Sequence, residues 1–137
     1  MEKWILEKYP KNNYPFPENG GFVTNNGVVV RTKSEVFIAN LLEEYNVPYR
    51  YEMLKKISNK TTYPDFIIKN PFTAKIILWE HFGALHLEEY ELIMNDKMKR
   101  YQDDGYILDD TVIYTFQFHI NQLERIRKLI NEVIELE

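Results

Sequence analysis

Apolar residues recur every three to four positions from Lys33 to Tyr45, placing Ile38, Leu41, Leu42 and Tyr45 on one face, and this predicts a helix. Upstream, Val28-Val29-Val30 predicts a short strand after a turn at Asn26-Gly27. Downstream, Tyr49 to Met53 alternates, with Tyr49, Tyr51 and Met53 on one side of a predicted strand. Two denser apolar runs, Tyr63–Ile68 and Lys75–Glu80, predict buried strands. Leu87 to about Asp103 predicts a second long helix, with a stop at Asp104-Gly105. Val112–Phe116 predicts another strand, and Leu123, Ile126, Ile130, Val133 and Ile134 mark a C-terminal amphipathic helix. The order strand, helix, three strands, helix, strand, helix predicts an α/β domain, a central mixed β-sheet flanked by helices. One domain is expected over 1–137: an N-terminal helix/loop extension at 1–27, rich in Pro, Asn and Gly from residue 10 onward, a core at 28–116, and the C-terminal helix within 117–137.

Composition narrows the classes. At 137 residues the chain suffices for a sizeable core. It has no cysteine, which excludes a disulfide framework and a thiolate metal site. No run approaches the length of a membrane span, and MEKWILEKYP lacks the features of a signal peptide, so a cytoplasmic protein is expected. The net charge of −4 argues against tight non-specific nucleic-acid binding, while 17 Lys and Arg leave room for a local basic groove.

Periodicity sets four charges on the inward side. Asp65 precedes Phe66-Ile67-Ile68, Glu80 ends Ile76-Ile77-Leu78-Trp79, Glu35 extends the stripe of Ile38 and Leu42, and Lys97 falls among Tyr90, Met94 and Tyr101. Burying an unpaired carboxylate costs several kcal/mol or forces protonation. Each has a plainer reading. Glu35 suits a helix dipole, Asp65 a turn, Glu80 a solvated strand end, and Lys97 can snorkel to water. Together they suggest three acids sharing a divalent cation, with a lysine beside them. His81, His86 and His119 are a poorer zinc set, because the spacing of the first two suits neither a helix nor a strand face.

The segments RTKSEVFIANLLEEYNVPYRYE, YPDFII and IILWEHFG, in this order, resemble the PD-(D/E)XK nuclease superfamily over roughly Val28 to Phe116. The resemblance implies a restriction-endonuclease-like fold and Mg²⁺ or Mn²⁺ held by Glu35, Asp65 and Glu80. The family's lysine, two residues after the second acid, is replaced by Phe82, so Lys97 is the candidate substitute and Lys33 a weaker one. Glu52 is an extra ligand or orienting residue, or else the polar face of its strand. His81 stands behind the ligands or faces phosphate. The expected activity is metal-dependent phosphodiester hydrolysis of DNA rather than RNA, by endonucleolytic cutting. Arg31, Lys33 and Arg100 are candidate phosphate contacts. A homodimer, or a place in a larger multidomain protein or complex, is expected. The alternative is a catalytically inactive nuclease-like fold that binds nucleic acid or serves assembly.

Overall fold

A computed structural model describes residues 4, 7–16, 20–83, 88–117 and 123–134. Its elements are β1 (Phe22–Val23), β2 (Val29–Val30), α1 (Lys33–Glu44), β3 (Tyr49–Tyr51), β4 (Lys55–Ile57), β5 (Lys60–Thr62), β6 (Phe66–Lys69), β7 (Ile76–Phe82), α2 (Glu88–Asp103), β8 (Val112–Phe116) and α3 (Leu123–Ile134). The main sheet has the order β3-β6-β7-β8, and β1-β2 and β4-β5 form separate two-stranded hairpins. β3 and β6, and β6 and β7, are antiparallel, whereas β7 and β8 are parallel and joined through α2. A mixed sheet flanked by helices is therefore present. Among the described residues no helix is long and apolar enough to cross a membrane.

Side chains alternate across this sheet and feed two cores. On one side Phe66, Ile68, Ile77, Trp79 and Ile113 pack with Ile38 and Leu42 of α1 and with Ile126 and Ile130 of α3. On the other, Ile67, Leu78 and Val112 pack with Tyr101 of α2 and Ile57 of β4. Strand β7 is sandwiched between the two, and every residue after Ile76 is buried. An acid at Glu80 on such a strand has no route to water. The side chains of Leu123, Val133 and Ile134, assigned to the same helical stripe by the sequence, lie outside the described set, as do Leu87, His86 and His119.

Several boundaries differ from the sequence pattern: β3 ends at Tyr51 and not Met53, and β7 runs on to Phe82, so Glu80 lies within it. Phe22–Val23 pairs with β2 inside the stretch read as loop. KKISNKTT forms the β4-β5 hairpin, turning at Ser58 (φ 50°) and Asn59 (φ 65°). That left-handed pair suits a tight hairpin turn, but Ile57 is the hairpin's lone apolar residue and gives no alternation to detect. Asp65 lies just ahead of β6 instead of within it.

Candidate active site

The antiparallel register sets the site. Phe66 pairs with Trp79, which brings Asp65 opposite Glu80. The two acids are cross-tied. Asp65 N–H donates to Glu80 Oε1 at 3.1 Å, and His81 N–H donates to Asp65 Oδ2 at 2.7 Å. Glu80 is fully buried, and its other oxygen accepts the Tyr101 hydroxyl at 2.8 Å and meets Lys97 Nζ at 3.1 Å. Lys97 and Tyr101 are one helical turn apart on α2, so one face of that helix supplies both partners. Lys97 thus points to the acids and not to solvent.

Glu35 arrives from the opposite side of the sheet. Thr32 caps α1, its hydroxyl accepting from Glu35 N–H, and Glu35 Oε1 takes the Thr32 N–H and hydroxyl at 3.0 Å each and the Tyr51 hydroxyl at 3.1 Å. The first-turn position that suits the helix dipole is thus also part of a capping box, which holds a buried acid at the cleft. Thr32→Ala is expected to cost about 1 kcal/mol of stability, read as a lower denaturant midpoint at unchanged slope.

Glu52 follows β3 in a left-handed conformation (φ 51°), which turns it out of the strand's alternation. It is buried and takes Arg31 Nε on both oxygens, at 3.0 and 2.8 Å. Arg31 also donates to Pro15 O and Tyr14 O and lies over the Phe16 ring. Of the candidate phosphate contacts, Arg31 is thus fully engaged within the chain. Arg100 is held by Asp96 and Thr62, and Lys33 is exposed on the first turn of α1.

A cavity of about 400 Å³ collects Glu35, Glu52, Asp65, His81, Tyr90 and Gln117. A hydrogen-bond chain runs along one wall: Trp79 Nε1–H donates to the Thr115 hydroxyl (2.9 Å), Thr115 Oγ1 meets His81 Nδ1 (2.9 Å), His81 Nε2 meets Gln117 Oε1 (3.5 Å), and the same Gln117 oxygen accepts from the Ser34 hydroxyl (2.9 Å). A larger cavity of about 640 Å³, beside Leu108, Tyr114 and Leu129, lies away from the four charges.

The electrostatics are those of crowded acids. Burial, then the charges of Glu80 and Glu35, push the Asp65 carboxyl well above its ordinary range against the pull of Lys97 and the His81 N–H. Burial likewise raises Glu35, offset by its bonds from Thr32 and Tyr51, with Glu52 adding to the rise. Burial works against the charge of Lys97, but Glu80 and Asp65 outweigh it and hold its ammonium above the ordinary value. Burial and the adjoining Glu80 keep the Tyr101 hydroxyl protonated, hence a donor.

Among the described residues no three His, Asp or Glu side chains are placed to hold a metal ion together. The bonding explains why. Glu80 is saturated by a backbone N–H, a hydroxyl and an ammonium. Among the described residues, Asp65 Oδ1 and Glu35 Oε2 receive no donor, and both acids line the cavity. A cage of all three acids does not fit these side chains as they stand, and Asp65 and Glu35 are the two of the three that line the cavity.

Sequence reasoning marks Asp65, Glu80, Glu35 and Lys97; the structure ties Asp65 to Glu80 and Glu80 to Lys97 by hydrogen bonds and an ion pair, while Glu35 shares the cavity with Asp65 and bonds to neither. It misses Tyr51, Tyr101, Tyr90, Gln117 and Ser34. The first three read as members of apolar stripes, and their hydroxyls are the signal available.

No family model matches the chain, and no solved structure matches it. An uncharacterised protein of Methanocaldococcus jannaschii is 36% identical over 93 residues, covering 67% of this chain and 8% of that protein. The chain therefore spans a small part of the length of the relative it matches.

Proposed function

We propose that this is a restriction-endonuclease-like domain that hydrolyses phosphodiester bonds of nucleic acid, DNA in the first instance, with Mg²⁺ or Mn²⁺. The observation that carries the reading is Asp65. It is an acid pushed toward protonation by burial and by the charges of Glu80 and Glu35, with one oxygen open to a cleft and the other tied to β7, the strand whose Glu80 pairs with Lys97 of α2. Such a group gains most from a divalent cation. The antiparallel strands carrying Asp65 and Glu80, beside a parallel strand and a helix acid, support the fold assignment.

Asp65 and Glu35 would hold the metal. When bound, it lowers the pKa of a coordinated water and neutralises phosphate charge. Glu80 fixes Asp65 through the backbone and keeps Lys97 in place. The Lys97 ammonium, which meets Glu80 through one N–H, offsets the acids and would offer its remaining N–H groups to an attacking water or to charge developing on the phosphoryl oxygens. Tyr101 prevents Glu80 from swinging away. Membership of a longer polypeptide, supported by the far longer relative, is part of the proposal.

A second reading has its own observation. Every acid already has a protein donor, as expected of a nuclease-like domain that binds or assembles without turnover. Cleavage of labelled single-stranded, duplex and branched DNA, and of RNA, in Mg²⁺ and Mn²⁺ separates the two. Metal-dependent cutting that falls about 100- to 1,000-fold in Lys97→Met supports the first. Cutting unaffected by Lys97→Met removes the lysine from the mechanism. No cutting of any substrate supports the second.

A further inference from the structure

We propose that the segment Tyr14–Phe16, clasped onto Arg31 at the mouth of the cleft, is a stacking platform for unpaired bases, so that the substrate engaged is a single-stranded polynucleotide. The inference rests on the proposed function for its phosphate chemistry, and adds the form of the strand.

Three observations carry it. Tyr14 and Phe16 are 71% and 39% exposed, an unusual state for two aromatics so close in sequence. They are nevertheless held in place. The Arg31 guanidinium carbon lies 4.4 Å from the Phe16 ring centre and 5.8 Å from that of Tyr14, and its two terminal nitrogens donate to Pro15 O (2.9 Å) and Tyr14 O (2.7 Å). Arg31 in turn is locked by Glu52 and lines the cavity that holds Asp65 and Glu35. The rings are thus a rigid apolar surface joined to the acidic cleft by one residue.

The third observation is how the cations near the cleft are used. A groove that tracks duplex phosphates needs unspent cations. Among the described residues Arg31 is spent on Glu52 and the backbone, Lys97 in part on Glu80, and Arg100 on Asp96 and Thr62, which leaves Lys33 exposed beside the cavity-lining Thr32 and Ser34. Duplex DNA presents mainly phosphates at such a surface. A single strand offers exposed base faces, and stacking on an aromatic is worth about 1–3 kcal/mol per base beyond what the phosphates contribute. A cavity of about 400 Å³ also admits a nucleotide and not a helix. A guanidinium beneath the rings adds polarisation to the stack.

The test is binding, measured apart from turnover. Fluorescence anisotropy of labelled oligo-dT, oligo-rU and a blunt hairpin duplex is recorded in Ca²⁺, for the full chain and for Tyr14→Ala, Phe16→Ala and the double variant, with Tyr14→Phe as the conservative control. Single strands are expected to bind at least tenfold tighter than duplex. Each alanine is expected to weaken single-strand binding 5- to 100-fold, with Tyr14→Phe close to wild type and duplex binding unchanged. Duplex binding as tight as single-strand binding, alanine variants that bind like wild type, or no binding to either strand would each overturn the platform. Tight, Tyr14-dependent single-strand binding without cleavage in Mg²⁺ would leave the platform standing and remove the nuclease.

Discussion

Asp65→Asn is expected to abolish metal-dependent cleavage, by at least about 1,000-fold, and at the same time to make the protein more stable. Loss of activity follows from removing the acid whose open oxygen faces the cleft. The gain follows from crowding. Burial and the charges of Glu80 and Glu35 raise the Asp65 carboxyl, so folding disfavours its ionised form. The amide keeps an oxygen to accept the His81 N–H, which holds this part of β7 in register. A stabilisation of about 1 kcal/mol, a few degrees in Tm for a domain of this size, is the expected scale at neutral pH. The sign can be checked by titration. A carboxyl with a raised folded pKa contributes stability that is complete below its unfolded pKa and is lost as pH rises through the folded value. Wild type is therefore expected to lose ground to Asp65→Asn as pH rises across that window and to hold a constant deficit above it. Mg²⁺ at ten times its Kd should return about 1.4 kcal/mol to wild type and little to the variant. A variant that is less stable than wild type at every pH would contradict the account of the site as strained by like charge.

Glu80→Ala is expected to act in the opposite direction on stability, costing about 3–5 kcal/mol. The substitution leaves Lys97 as a partly buried ammonium without its partner, and the Tyr101 hydroxyl and Asp65 N–H without their acceptor. Glu80→Gln should recover part of the loss, because its carbonyl oxygen still accepts from Tyr101 or Asp65 N–H. Glu80→Ala combined with Lys97→Met should be less harmful than the two single costs summed, since each removes the other's unpaired charge. Urea denaturation of the four proteins measures that coupling, and additive costs would show that Lys97 and Glu80 do not depend on one another.

How much of this was legible in the chain follows from the kind of signal each residue leaves. Asp65, Glu80 and Lys97 interrupt regular apolar patterns, and an interruption is visible by counting. Glu35 is visible as the continuation of a stripe, whereas the Thr-x-x-Glu cap that also marks it is a sequence signal the reading does not use. Arg31 is different. Its sequence neighbourhood is that of a phosphate contact, and nothing local tells that Glu52 and the carbonyls of Tyr14 and Pro15, far along the chain, consume it. Tyr51 and Tyr101 carry two properties in one side chain. The ring satisfies the apolar pattern, and the hydroxyl's acceptor is fixed only once the strands are in register. The β4-β5 hairpin escaped because its signal lies in two left-handed turn residues and not in periodicity.

The wall from Trp79 through Thr115, His81 and Gln117 to Ser34 has a mechanical meaning. It ties the sheet to the first turn of α1 by a run of hydrogen bonds, not by packed bulk. Packed bulk resists compression alone, whereas a bonded chain resists being both stretched and shortened. The cleft is therefore built like a caliper, its jaws at α1 and β7 and its gauge set by the reach of one glutamine side chain. Shortening that arm by a single methylene, as in Gln117→Asn, changes the aperture without touching any charge in the site.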